Sequence, residues 1–137
     1  MTDELSTLPP AHPFAQAVLF ARDEIAMGQA ARAEGNDGRV RVCARRAVGI
    51  FLQTIAPHLP ADPGTHAMAN LRMVAESEWL PAAVRDAAAR LLGGARSIAA
   101  GTPWSTDPLG DAVTIINHYV RSVDIGYVLA KKYPDML

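Results

Sequence analysis

Arg39, Arg41, Arg45 and Arg46 crowd the first half of one segment, RVRVCARRAVGIFL, which runs from Arg39 to Leu52. A guanidinium group presents a planar fork of donors that matches phosphate or carboxylate oxygens. These four residues are therefore the candidate anion site, suited to the phosphate of a nucleotide or of an RNA backbone. The same chemistry has a second use inside the chain, because Asp23, Glu24 and Glu34 lie just upstream and Asp37 stands where it can help at a helix cap. On a helix Arg39 and Arg46 project within about 20° of each other and Arg41 and Arg45 within about 40°, the two pairs flanking an apolar sector. Cations in a first turn face the positive end of the helix dipole, which costs about 0.3–1 kcal/mol each when exposed. Either internal acids or a negative partner must offset that cost.

A second polar set is Asp111, His118 and Arg121, with Thr114 among them. Helical spacing places all four on the face opposite the apolar stripe. A histidine exposed to solvent could move protons near neutral pH, yet no activated nucleophile stands beside it, and a solvated helix face explains the set as well. His58, Asp62 and His66 form H-x3-D-x3-H across a proline-rich loop. Three ligands fall short of the four that structural zinc takes, so neither a metal nor another cofactor is expected. Cys43 is the only cysteine; it reads as a small core residue rather than a nucleophile, and without a disulfide the chain suits the cytoplasm. Trp79 and Trp104 fall in connectors and are expected to lid the bundle ends. No catalytic residue is assigned.

Helices must position these groups. Proline punctuates the first thirteen residues, so residues 1–13 are expected to form a flexible arm and residues 14–137 a single domain. A helix from Phe14 to Glu34 carries Phe14, Val18, Ala21, Ile25 and Gly28 on one stripe. EGNDG stops it, and a second helix from Gly38 to Ala56 gathers Val40, Ala44, Ala47, Val48, Phe51 and Ile55 into a core-facing sector. Thr65 is placed to cap a short third helix reaching Ser77, with Leu71 and Val74 inward. Pro81 opens a fourth helix with Val84, Ala87, Ala88, Leu91 and Leu92, which Gly93-Gly94 either ends or bends into a continuation toward Ala100. Asp107 and Pro108 mark the clearest start, that of a helix carrying Leu109, Ala112, Val113, Ile116, Tyr119, Val120, Val123 and Tyr127 on toward Lys131.

The expected fold is all-α, an antiparallel, up-and-down bundle of four to five helices. Composition agrees: 50% of the 137 residues are hydrophobic but only 6% aromatic, which suits close-packed helices better than a β-sandwich. A net charge of −1 argues against a strongly basic nucleic-acid binder, so any such contact must be local. The N-terminus lacks the positive charge and apolar run of a signal peptide. No apolar run is long enough for a membrane span.

The order of GRVRVCARRAVGIFL, WLPAAVRDAAARLL and DPLGDAVTIINHYV after an opening amphipathic helix resembles HEPN-type proteins. These are helical bundles often found beside minimal nucleotidyltransferases. The resemblance covers about residues 14–125. It implies a homodimer that binds a partner protein, such as a nucleotidyltransferase-like chain, or a phosphate-bearing ligand. Ribonucleases of that family carry an arginine, a polar residue and a histidine, with four to six residues between the arginine and the histidine. His12, His58, His66 and His118 have no arginine five to seven positions upstream. The resemblance thus implies a non-catalytic member, with a divergent ribonuclease using His118 and Arg121 across a dimer seam, or a purely structural adaptor, as the alternatives.

Overall fold

The computed structural model describes residues 13–59, 64, 66–93 and 105–122. Among them every regular element is helical: α1 (Pro13–Ala33), α2 (Asp37–Ile55), a single 3-10 turn (Ala56–His58), α3 (Ala67–Glu76), α4 (Ala82–Leu92) and α5 (Pro108–Ser122). The expected arm lies outside the described residues except for Pro13, which begins α1. A proline loses nothing there, because the first amide of a helix has no partner within it.

The turn between α1 and α2 shows how a few residues end one helix and start the next. Gly35, at φ 73°, donates to the Arg32 carbonyl at 3.0 Å, and the Asn36 N–H reaches the Ala31 carbonyl at 2.9 Å. This paired closure is a Schellman motif and needs the left-handed conformation that glycine supplies. The Asn36 side chain then accepts from the Arg39 N–H at 3.1 Å, capping α2. His66, not Thr65, caps α3, its Nδ1 accepting from the Ala69 N–H at 3.3 Å; Thr65 lies outside the described residues. Asp107 caps α5 as its type predicts, accepting from the Gly110 N–H at 3.1 Å.

The helix α2 is the axis of the packing. It touches α1, α3 and α5, while α3 packs on α4 and α4 on α5; α1 meets α5 only marginally. All six residues of the expected α2 sector are buried, joined by Cys43, Gly49 and Leu52. The six and Leu52 share one core with Val18, Ala21 and Ile25 of α1, Leu71 and Val74 of α3, Val84, Ala87, Ala88 and Leu91 of α4, and Leu109, Ala112, Ile116, Tyr119 and Val120 of α5. Val123, Tyr127 and the continuation toward Lys131 lie outside the described residues. Small residues set the closest approaches. A Cβ on Gly28 would stand 2.5 Å from Leu109 Cδ2 and 3.2 Å from Cys43 Cβ, so α1 sits against both neighbours only because that position is glycine. No helix among the described residues is long and apolar enough to cross a membrane.

Candidate functional site

The four arginines of α2 do not converge. Arg46 reaches back to α1, its Nη2 3.1 Å from Glu24 Oε1, one of the acids expected to receive it. Arg45 points to the other side, where Nε donates to the Leu91 carbonyl at 2.8 Å. That carbonyl belongs to the last turn of α4, where orphan acceptors gather. Burial, and after it the charge of Arg41, holds the Arg45 guanidinium below its ordinary value. Arg39 is exposed. Arg41 lines an open cavity of about 370 Å³ together with Arg32, Asp37, Val40, Thr106, Asp107 and Pro108. Within it Arg32 Nη2 donates to Asp107 Oδ1 at 2.8 Å, so the acid that caps α5 also ties down the end of α1. The anion-site cluster is thus dispersed over three places: an α1 contact, an α4 cap and a cavity of mixed charge.

The second polar set also comes apart, which corrects the expectation of a shared exposed face. Thr114 and Arg121 are exposed and His118 half-buried, but Asp111 retains only 9% of its surface. Asp111 faces α4, where it accepts two hydrogen bonds from Arg90 Nε at 3.2–3.3 Å and one from Nη2 at 2.9 Å. Ser105 Oγ donates to its other oxygen at 2.6 Å. The hydrogen bond to Asp111 raises the Arg90 guanidinium above its ordinary value, against the opposing effect of burial. Helical phase put Asp111 and His118 on one line, but Asp111 is buried and bonded to α4 while His118 stays half-buried. Burial lowers the His118 imidazole, whose ring meets Tyr119 edge-on at 5.6 Å. The Tyr119 hydroxyl is buried without a partner, and burial pushes it up to about 12.

Of the H-x3-D-x3-H set, Asp62 lies outside the described residues and His66 is spent as a cap. Among the described residues no group of three potential ligands could hold a metal. Cys43 is buried. Trp79 is 55% exposed; Trp104 lies outside the described residues.

Two features were not visible in the sequence. The first is the burial of Glu24, 6% exposed on α1. One oxygen meets Arg46, but Oε2 is buried without a partner. It borders a shallow cavity of about 240 Å³ lined also by Arg46, Gly49, Ile50, Gln53 and Ala67. The second is the set of exposed apolar side chains on α1 and α2: Leu19, Phe20, Met27 and Val42 are 39–49% exposed. A signal for it existed: apolar residues on α1 are spread almost evenly round the helix rather than confined to one side. No family model, curated protein or solved structure matches the chain.

Proposed function

We propose that the protein is a non-enzymatic binding module, an antiparallel, up-and-down, HEPN-like bundle that works as a homodimer in the cytoplasm and receives a partner protein, a nucleotidyltransferase-like chain being the kind the resemblance implies. The observation that carries this reading is the double apolar character of α1. One side supplies Val18, Ala21 and Ile25 to the core, while Phe20 and Met27 project together into water beside Glu24 and Leu19 projects into water at a different angle. Exposed apolar residues grouped on one surface mark interaction sites in soluble domains.

A nucleotide or RNA phosphate is the second reading. Arg32 and Arg41 favour it by lining one cavity beside the N-terminal ends of α2 and α5, where backbone amides welcome an anion. Asp37 and Asp107 in the same wall oppose a bare phosphate. The geometry supports a ribonuclease using His118 and Arg121 least, since Asp111 is committed to Arg90.

Light scattering on a sizing column tests the main reading: a dimer is expected at tens of micromolar, and a strict monomer at high concentration contradicts it. Thermal shift with a nucleotide panel tests the second. A rise that follows RT ln(1 + [L]/Kd) and vanishes in Arg41→Ala supports it, and no rise removes it.

A further inference from the structure

Two contacts fix how α1 and α2 lie beside each other. Glu24 stands level with Arg46, and Gly28 abuts Cys43, so each step forward along α1 is a step back along α2. The ion pair also marks the outward side of this two-helix layer. Phe20 and Met27 project within about 40° and 60° of Glu24, and Arg39 and Val42 within about 20° and 40° of Arg46. The four therefore share that side, with Asp23, Glu34 and Ile50 around them.

We infer that this face pairs with itself, deepening the homodimer reading on which it rests. A two-fold axis running along the helices lays α1 of one copy over α2 of the other at equal height. Phe20 then falls over the partner copy's Ile50 and Met27 over its Val42. Asp23 comes level with Arg46, and Arg39 lies about 4.5 Å along the axis from Glu34, within reach of its long side chain, twice each.

The charges favour a second copy over an unrelated partner. The acids of the face, Asp23 and Glu34, are all on the α1 side and the arginines on the α2 side. Asp23, Glu34 and Arg39 are exposed and make no ion pair among the described residues. Arg46 keeps 63% of its side chain in solvent despite Glu24, leaving donors free for a second carboxylate. A layer that is acidic along one helix and basic along the other complements its own two-fold image.

The size is also sufficient. The 21 residues of α1 span about 31 Å at 1.5 Å per residue. With a helix spacing of about 8–10 Å the face measures roughly 600 Å² per copy, or about 1,200 Å² in total, the lower bound for a specific stable pair.

Sedimentation equilibrium on wild type and two sets of variants tests the pairing, with far-UV circular dichroism confirming that each is helical. Wild type is expected to dimerise, and the Phe20→Glu/Met27→Glu double variant to dimerise at least about 100-fold more weakly. Glu34→Arg and Arg39→Glu, each alone, should weaken the dimer, and their combination should restore it. These two surface positions keep the test decisive should the double variant fail to fold. A wild-type dimer indifferent to all of these changes overturns this face while leaving the homodimer reading intact. A wild-type monomer up to about 1 mM overturns both.

Discussion

Two of the arginine–carboxylate pairs among the described residues, both with a buried acid, have similar outward form and opposite standing. At the α4–α5 junction Asp111 receives donors from Arg90 and Ser105, and both of its oxygens are engaged. At the α1–α2 junction Glu24, equally buried, receives Arg46 on one oxygen and nothing on the other. A buried carboxylate with every lone-pair direction used fixes one geometry, whereas one left half-used keeps a desolvation cost. The first pair lies where α5 is well covered by neighbours. The second lies at the margin of a face that carries bare Phe20, Met27 and Val42. The difference separates a junction whose buried carboxylate is engaged on both oxygens from one that leaves a carboxylate oxygen without a partner beside exposed apolar side chains.

Removing the acids is the sharpest way to break that contrast. Asp111→Leu leaves Arg90 and Ser105 without their acceptor and should cost about 2–4 kcal/mol, a value below the usual range for a fully buried pair because Arg90 keeps a third of its side chain in solvent. Urea unfolding followed by circular dichroism measures it. Glu24→Leu frees Arg46 to water and removes the orphaned oxygen, so its expected effect is within about 1 kcal/mol of zero. Equal losses for the two would abolish the distinction drawn between them.

Gly28→Leu probes the packing between the two regions. With Leu109 already at the distance of an added Cβ, overpacking should cost about 1–3 kcal/mol, read from the urea midpoint. Gly38→Ala, where only the Asn36 side chain approaches and at 3.9 Å, should change stability by less.

The smallest effects concern pH. Burial lowers His118, so in the folded chain it holds its proton less well than in the unfolded one. Stability is then fully present above about pH 6.5 and declines as pH falls below it. Tyr119 is raised to about 12, so its contribution is intact below about pH 10 and is lost as pH climbs toward 12. His118→Gln should flatten the acid slope and Tyr119→Phe the alkaline one, both measured as thermal midpoint against pH. Unchanged slopes would show that neither side chain is desolvated on folding.

Much of the scaffold was legible in the chain. Val40, Ala44, Ala47, Val48, Phe51 and Ile55 are buried as their spacing requires, and Asp107 caps α5 as a carboxylate before a proline should. Both are local matters: the helix repeat fixes which residues share a side, and an unpaired amide takes the nearest acceptor. The candidate site was less legible. Spacing placed Asp111 beside His118 but could not tell that α4 would cover one of them. The sequence offered Glu24 among the acids that could pair with the four arginines, as it does with Arg46, but did not reveal that the end of α4 takes Arg45.

By itself, then, the sequence determined the helices and most of the stripe each one buries, because those depend on neighbours a few residues away. Only the tertiary structure decided which charges find partners, which apolar side of α1 is left in water and which small residues let helices touch. Those outcomes depend on groups distant in sequence, such as Arg45 with Leu91 or Gly28 with Leu109, and no periodicity within one helix encodes them.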